Sequence, residues 1–298
     1  MTRKRARNWS KSNQSLVNQG SIIFWVKDSA AKSWYSDQQG ARGRPAIYSN
    51  QAILALMIVR VVYGCAFRQL QGLMRDILQL MQTGCQCPDY TTICRRARGV
   101  VVPFKVGRKG PLNLVFDSTG LKVYGEGEWQ ARKHGFSYRR GWKKIHIAMC
   151  AETQQIVAAS ISDKEFGDSQ ALPELLDAIS GEISEVIGDG AYDSRRCYEA
   201  IHQRGAKAVI PPRKGARISG LPSLEQRDAA IHRIRDQKRG KRRWKEEVGY
   251  HRRSLVETAM HRVKALTGSN IRARKSKNQV VEVGVKMFVL NEMMALRD

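Results

Sequence analysis

Acidic residues are scarce in this chain relative to basic ones. Its 298 residues include 52 lysines and arginines but only 27 aspartates and glutamates, which gives a net charge of +25 and a pI near 10.2. Such an excess destabilises a compact monomer through self-repulsion and indicates a polyanionic partner. Nucleic acids, ribosomes and membrane surfaces all fit that description. Binding to a nucleic acid would release counterions and would therefore depend strongly on salt.

Paired cysteine motifs are also missing. The six cysteines include Cys85 and Cys87 with Cys94 nearby, but no histidine follows at zinc-finger spacing. We therefore expect reduced cytosolic thiols instead of a structural zinc site or a disulfide framework.

Long apolar segments are absent as well. The basic N-terminal residues contain no apolar core of a secretory signal, and the longest apolar run, residues 52–59, is interrupted by Arg60. That run is too short to span a bilayer. We expect no membrane partner.

The N-terminal third of the chain predicts an all-helical region. Apolar residues recur at helical spacing over about 51–63 and 67–82, and a short helix at 90–98 ends in arginines. Two helices, a tight turn and a short basic helix form the outline of a helix-turn-helix, although a small helical bundle with a solvated end gives the same pattern. The candidate DNA contacts in this region are Arg95, Arg96 and Arg98.

The pattern changes after residues 101–111, which lack periodicity and predict a linker. Strands are predicted at 112–116, 120–125, 142–150, 156–161, 185–188 and 208–210, and helices at 169–179, 194–204 and 279–296. Hairpin-linked strands followed by alternating helices and strands indicate an α/β sandwich with a mixed sheet. We therefore predict a helical DNA-binding domain at 1–105 and an α/β domain at 106–298.

One downstream helix is predicted to combine a carboxylate with two cations and a phenol. At about 100° per residue, Arg253, Tyr250 and Lys264 all fall within about 40° of Glu257, beside a separate apolar arc. A carboxylate flanked by cations suits a metal ion that holds phosphate oxygens. An ordinary solvated helix with internal ion pairs gives the same pattern.

Two upstream aspartates favour the chemical interpretation. Asp117 and Asp189 each follow an apolar strand, where a buried carboxylate needs a partner, although aspartate is also common in turns. With Glu257 they make three carboxylates near one sheet edge. Hard oxygen ligands with positions open to phosphate are typical of a magnesium site for phosphoryl transfer.

Together these motifs resemble the DDE transposases of bacterial insertion sequences, especially the insertion-sequence-five group with its Y-(2)-R-(3)-E-(6)-K signature. Asp117 in VFDSTG and Asp189 in IGDGAYD match the first two acidic positions. The signature positions, with every spacing met, are Tyr250, Arg253, Glu257 and Lys264. The resemblance implies an RNase H-like catalytic domain in which Asp117, Asp189 and Glu257 hold two divalent cations, Mg²⁺ or Mn²⁺. Only 68 positions separate Asp189 from Glu257, which leaves no room for the large β insertion of some relatives.

The activity implied by the resemblance is DNA transposition. Such an enzyme binds the terminal inverted repeats of its element, cleaves double-stranded DNA and transfers the strands to target DNA, as a homodimer assembled on DNA. A bacterial, cytoplasmic and nucleoid-associated protein is expected. Two alternatives share the motifs, namely a catalytically silent DNA-binding derivative and another RNase H-fold nuclease such as a junction resolvase.

Two more basic regions are candidate DNA contacts, and each is equally compatible with a solvated surface. A basic, aromatic segment at 129–144 suits backbone contact with base stacking. Residues 233–245 contain eight cations and one acid, which suits a surface that follows a phosphate backbone. Arg253 and Lys264 are the candidate phosphate clamps, and Tyr250 can hydrogen-bond the same backbone. The remaining candidates are Arg140, Lys143, Arg242 and Arg243.

Overall fold

The structure is a computed structural model that describes residues 9–21, 31–37, 45–104, 107, 110–123, 142–236 and 238–295. The chain forms two compact units. One runs to Pro103 and includes the residues from Asn291 onward, and the other is Phe104–Leu290. Among the described helices none is by itself long and apolar enough to cross a membrane, whereas one sharply bent pair, Asn50–Val62 with Phe67–Leu80, passes by length and composition.

Helices make up the first unit, as predicted. They are α1 (Trp9–Gln19), α2 (Asn50–Val62), α3 (Phe67–Leu80) and α4 (Tyr90–Ala97). Ser49 caps α2 by accepting a hydrogen bond from the Ala52 amide at 3.0 Å. The buried residues of α3 recur at helical spacing (Leu70, Met74, Ile77 and Leu78). Helices α2, α3 and α4 all contact one another, so their apolar faces form one small core.

The start of α4 is fixed by Asp89. Its carboxylate accepts hydrogen bonds from the amides of Thr91 at 2.8 Å and Thr92 at 3.2 Å, which satisfies two backbone donors that the helix leaves unpaired. Both threonine hydroxyls bond the same carboxylate. These hydrogen bonds lower the pKa of Asp89 to about 2.

A mixed sheet forms the centre of the second unit. Its strands are β1 (Leu112–Val123), β2 (Trp142–Cys150), β3 (Ile156–Asp163), β4 (Ile183–Ile187), β5 (Lys207–Val209) and β6 (Asn270–Ile271). The order is β3-β2-β1-β4-β5, with β6 paired to the far end of β1. Strands β2 and β3 are antiparallel to their neighbours, whereas β4 and β5 run parallel to β1.

The predicted hairpin between 112–116 and 120–125 is wrong, because β1 is a single strand through both segments. Asp117, Ser118 and Thr119 have the composition of a turn, yet all three stay paired with β2. At Gly120 an added Cβ would lie 3.1 Å from the Trp142 ring, so this glycine allows close packing of the ring instead of a turn.

The described residues of the second unit also contain six helices. They are α5 (Asp168–Asp177), α6 (Arg195–Gln203), α7 (Glu225–Arg235), α8 (Gly240–Glu247), α9 (Ser254–Thr267) and α10 (Ser276–Ala295), the last of which ends in residues of the first unit. Of these, α5, α6, α7 and α9 contact the sheet. Helices α5 and α6 pack on each other, and their apolar faces share a core with Leu114 and Phe116 of β1 and Val186 of β4. The mixed sheet with flanking helices is confirmed, and this strand order is that of an RNase H-like domain.

The Asp89 cap provides a test of the first unit. Asp89→Ala should lower the free energy of opening of α4 by about 1 kcal/mol at neutral pH. Because the pKa of Asp89 is depressed in the folded state, its contribution is present above the ordinary value of 3.8 and is lost as pH falls toward about 2. Hydrogen exchange of the α4 amides, measured from pH 5 downward, follows this change. Asp89→Asn keeps a capping oxygen that does not titrate, so α4 of this variant should lose less stability than wild-type α4 as pH falls; equal pH dependence in the wild type and in Asp89→Asn would contradict the cap.

Candidate active site

Strand register brings the two predicted aspartates to one edge of the sheet. Val115 of β1 pairs with Ile187 of the parallel strand β4, and Asp117 and Asp189 each lie two residues further along. Asp117 accepts a hydrogen bond from the Ser118 amide at 2.9 Å. Asp189 caps a short 3₁₀ turn by accepting one from the Ala191 amide at 2.8 Å. Each carboxylate is therefore held by a backbone amide one or two residues further along the chain.

Glu257 reaches this edge from α9, which packs against β1. The preceding 3₁₀ turn, Tyr250–Arg253, is tied to β4 because the Arg252 guanidinium lies 2.5 Å from the buried Glu185 carboxylate. This partly buried ion pair ties the residues just before α9 to β4, and the first turn of α9 then presents Glu257. Glu257 itself is about half exposed.

A single guanidinium joins two of the three carboxylates. Arg253 Nη1 lies 3.4 Å from Asp117 Oδ2, and Nη2 bonds the Glu257 carboxylate. Burial raises the pKa of Asp117, and the negative charges of Asp189 and Glu257 raise it further, while the Ser118 amide and Arg253 lower it. All three carboxylates therefore interact electrostatically, and Arg253 offsets part of their mutual repulsion.

The other two signature residues lie beside this cluster. Lys264 Nζ donates to Thr119 Oγ1 at 2.6 Å, two residues beyond Asp117 on β1. Tyr250 is half-buried. Burial raises the pKa of its phenol; Arg253 lowers it, and the three carboxylates raise it further. The prediction that all four signature residues lie on one helix is wrong in one respect. Tyr250 and Arg253 belong to the 3₁₀ turn, and α9 starts only at Ser254.

A polar group that the sequence did not reveal lies behind the aspartates. Asp168 Oδ1 is 2.9 Å from Lys144 Nζ and 3.3 Å from the Nδ1 of the fully buried His146, whose Nε2 is 2.8 Å from Ser162 Oγ. Burial raises the pKa of Asp168, but the contacts from His146, Lys144 and Ser118 outweigh it, so the net shift is downward. Gly167 is the N-cap of α5, and Asp168 is its first helical residue, one position before the predicted start of this helix.

Arg95, Arg96 and Arg98, at the C-terminal end of α4, have different environments. Arg96 donates to the Tyr48 carbonyl and to Asn50 Oδ1, both at 2.8 Å, so it holds α4 against the start of α2. Arg95 and Arg98 are exposed and line a groove of about 660 Å³ with Arg68 and Tyr90. The Arg68 guanidinium lies 4.8 Å from the Tyr90 ring centroid.

The remaining predicted DNA contacts are surface residues with acidic partners, apart from Arg140, which lies outside the described residues. Lys143 is 2.6 Å from Asp163. Arg242 and Arg243 pair with glutamates one helical turn further along α8, at 3.0 and 3.2 Å. Such exposed pairs are weak, so a phosphate can displace the glutamates. Their role in DNA binding stays a prediction.

A groove of about 480 Å³ adjoins the carboxylate cluster along α8. Lys241, Lys245, Tyr250 and His251 line it together with the Arg242–Glu246 pair. Lys245 Nζ lies 4.8 Å from the centroid of the Tyr250 ring, which also contacts the buried Trp244. Tyr250 thus connects a basic groove to the three carboxylates.

The donor chemistry of the carboxylates fits a divalent cation, because Asp117, Asp189 and Glu257 offer only hard oxygen ligands. Across the described part of the chain, however, no three acidic, histidine or cysteine side chains are arranged as a ligand set. Arg253 instead bonds two of the three carboxylates. An ion that used both Asp117 and Glu257 would have to take the place of this guanidinium.

Two family models described as a transposase DDE domain match the chain, over residues 17–126 and over residues 108–291. The second match covers more than half of the chain. Among solved structures, the chain is similar to a piggyBac transposase in a synaptic complex with hairpin DNA, at 10% identity and a TM-score of 0.48, over 94% of this chain and 74% of that one. It is also similar to the Drosophila P element transposase in a strand transfer complex, at 13% identity and a TM-score of 0.30, over 70% of this chain and 50% of that one.

The contact between Arg253 and Asp117 can be tested without any reaction. Arg253→Gln should raise the pKa of the Asp117 carboxyl further, because it removes the cation that favours the charged form. Carboxyl ¹³C resonances followed through a pH titration report this value. Lys264→Gln removes a neighbouring cation that contacts Thr119 instead, so the Asp117 pKa should change much less. Equal shifts in the two variants would show that only the general field of the protein acts on Asp117.

Proposed function

Because this chain belongs to the DDE transposase family, we propose that its function as a DNA transposase consists of binding the terminal inverted repeats of an insertion sequence, cleaving DNA strands and joining them to target DNA. The convergence of Asp117, Asp189 and Glu257 at one sheet edge is the observation that supports this chemistry. The Tyr250, Arg253, Glu257 and Lys264 spacing supports placement in the insertion-sequence-five group.

The three carboxylates would hold divalent metal ions, Mg²⁺ or Mn²⁺. When bound, such ions lower the pKa of a water or a terminal 3′-hydroxyl and stabilise the leaving oxygen of an in-line displacement at a phosphodiester. The backbone donors at Asp117 and Asp189 hold each carboxylate in place beforehand. This preorganisation reduces the rearrangement that the site must undergo when DNA arrives.

The cations around the carboxylates would bind the DNA backbone. Arg253 has a planar, forked donor group that suits bidentate contact with a phosphate, whereas Lys264 is a point charge anchored on β1 through Thr119. Strand cleavage exchanges one P–O bond for another: a water oxygen attacks phosphorus and a 3′-hydroxyl leaves. In strand transfer that 3′-hydroxyl attacks a phosphodiester of the target, so no external energy source is required.

The groove along α8 is the favoured path for the strand beyond the active site. Lys241 and Lys245 lie one helical turn apart, and neither forms an ion pair within the described residues. A strand whose phosphate lies at the carboxylates would therefore meet two available ammonium groups on the far side of Tyr250. The aromatic ring adds a surface on which a base can stack.

The first unit is proposed as the DNA-binding domain, within about residues 1–105, that recognises the terminal repeat. The groove of Arg68, Tyr90, Arg95 and Arg98 presents three exposed guanidinium groups beside the first turn of α4. Phosphate contacts of this kind set the position of a helix on the duplex, and neighbouring side chains then contact the bases. Transposition also requires two DNA ends to be held together, so a homodimer on DNA is the minimal assembly.

Substitution of the carboxylates tests the catalytic assignment. Asp117→Asn, Asp189→Asn and Glu257→Gln should each reduce metal-dependent cleavage of repeat-end DNA by at least about 100-fold, because each removes a charged ligand. DNA affinity should be nearly unchanged, and stability unchanged or higher, because mutual repulsion is relieved.

The control for these variants is Asp163→Asn, which neutralises a carboxylate that only pairs with Lys143 at the surface. It should cleave at the wild-type rate. Full cleavage by any of the three site variants would contradict the assignment. Specific binding without cleavage by the wild-type protein, in either Mg²⁺ or Mn²⁺, would instead identify a catalytically silent derivative.

A second test separates the arginines of α4. The double variant Arg95→Gln/Arg98→Gln should weaken binding to the terminal repeat and reduce the salt slope of log K by about 0.9 for each phosphate that is no longer neutralised. Its thermal stability should be that of the wild type, because both side chains are exposed. Arg96→Gln should instead lower stability by about 1–3 kcal/mol, because the Tyr48 carbonyl loses its donor. Unchanged DNA affinity in the double variant would exclude this groove.

A further inference from the structure

The turn that follows Asp189 is too short to hold its own shape. Asp189 is the N-cap of the three-residue 3₁₀ helix Gly190–Tyr192, and a single turn of this kind has little stability without tertiary contacts. Neighbouring segments must therefore set its position. Strand β4 ends two residues before Asp189, and its Ile187 pairs with Val209 of the parallel strand β5. The residues after Val209 consequently run beside the turn.

Arg213 reaches this turn from the segment after β5. Its guanidinium donates through Nε to the Gly190 carbonyl and through Nη2 to the Ala191 carbonyl, both at 2.9 Å. The Gly190 carbonyl also accepts the Asp193 amide, but at 3.3 Å, so Arg213 supplies the shorter contact. The backbone amide of Arg213 in turn donates to Asp193 Oδ2 at 2.8 Å, and this buried carboxylate accepts from Arg227 Nε at 2.7 Å. Both ends of the turn are thus fastened to one residue.

One of these contacts acts on the catalytic carboxylate through a single peptide group. The Gly190 carbonyl and the Ala191 amide belong to the same planar unit, so they cannot turn independently. That amide donates to Asp189 Oδ1 at 2.8 Å. A guanidinium bonded to the carbonyl polarises the peptide and strengthens the donor on its other side. Arg213, the peptide group and Asp189 therefore form a chain of two short hydrogen bonds.

We propose that Arg213 is a positioning residue of the transposase site, which orients Asp189 through the peptide group that joins Gly190 to Ala191. This inference rests on the proposed function of the three carboxylates. Arg213 itself contacts neither substrate nor the reacting atoms, although its side chain is exposed. Both of its carbonyl contacts are made within the chain, so they orient the carboxylate independently of DNA.

Arg204 offers a matched comparison within the same unit. Its guanidinium also donates to backbone carbonyls, namely those of Leu176, Ile179 and Gly181 at 2.9, 3.0 and 2.7 Å. These carbonyls lie before the start of β4, whereas Asp189 follows its end. A variant at Arg204 therefore loses the same kind of contact without acting on the carboxylate.

The experiment compares Arg213→Lys with Arg204→Lys in the full-length protein. Lysine keeps the charge but has one nitrogen in place of the planar fork, so it cannot hold two carbonyls in the same geometry. Arg213→Lys should lower the cleavage rate at saturating DNA and Mg²⁺ about 10-fold or more, with DNA affinity unchanged. Arg204→Lys should instead lower the melting temperature and cleave at the wild-type rate.

A second measurement does not depend on cleavage. Hydrogen exchange of the Ala191 amide reports on the bond that this amide donates to Asp189. The amide should exchange about 10-fold faster in Arg213→Lys than in the wild type, because its peptide group is no longer held from the carbonyl side. In Arg204→Lys its exchange should stay at the wild-type rate.

A wild-type cleavage rate in Arg213→Lys, or an unchanged exchange rate of the Ala191 amide, would overturn the proposal. Equal acceleration of exchange in both lysine variants would also overturn it, since it would indicate general destabilisation. If Arg213→Gln loses DNA affinity while Arg213→Lys keeps the wild-type rate, the residue is a phosphate contact and the proposal fails.

The proposed catalytic function fails on a different result. A wild-type protein that cuts no DNA, while Arg213→Lys still accelerates exchange of the Ala191 amide, would overturn that function and support the hydrogen-bond chain to Asp189. Conversely, a wild-type protein that cuts DNA, with exchange of this amide unaffected by Arg213→Lys, would support the function and overturn the positioning role.

Discussion

Mutual repulsion among Asp117, Asp189 and Glu257 is the constraint on which the catalytic unit depends. Three carboxylates near one another destabilise the fold unless cations or backbone donors offset their charge. The protein offsets it locally: backbone amides bond the two aspartates, and Arg253 bonds Asp117 and Glu257. The parallel register of β1 and β4 and the Arg252–Glu185 ion pair then hold the three elements at these positions.

The net charge of +25 has a different role from these local contacts. Most cations of the described residues are exposed, where they would attract DNA from a distance and be screened by salt. A small negative cluster at the centre of so basic a surface would repel the phosphate that it is proposed to cut. A divalent cation at the carboxylates would reverse the sign of that local field, so DNA binding and metal binding should favour each other.

The sequence predicted which carboxylates meet at one sheet edge better than it predicted their local geometry. Asp117 and Asp189 were identifiable because each follows a run of apolar residues, and the spacing around Glu257 supplied the rest. The predicted hairpin at β1 was wrong. Residues 117–120 have the composition of a turn, but they pair with β2 and continue the strand. Arg95, Arg96 and Arg98 look equivalent in sequence, yet only Arg96 bonds the start of α2. Tertiary contacts decide such cases, and a linear pattern does not contain them.

Two features of the site escaped prediction because their neighbours are distant in sequence. Asp168 lies directly before the predicted helix 169–179, and nothing in its position indicates that Lys144 and His146 of β2 contact it in the fold. Arg213 resembles any other exposed cation in the sequence, and its two carbonyl contacts with the turn after the second aspartate appear only in the fold. Contacts between residues that are distant in sequence become visible only when the sheet is assembled.

Arg253 connects these observations, because its guanidinium cannot fully serve two partners at once. In this structure its two terminal nitrogens face Asp117 and Glu257. Bidentate contact with a phosphate requires the same nitrogens. If metal ions neutralise the carboxylates, the ion pairs of Arg253 lose their main electrostatic benefit, and the guanidinium becomes available to DNA. If Arg253 is the proposed phosphate clamp, the same guanidinium pairs the acids before metal ions bind and holds the strand afterwards.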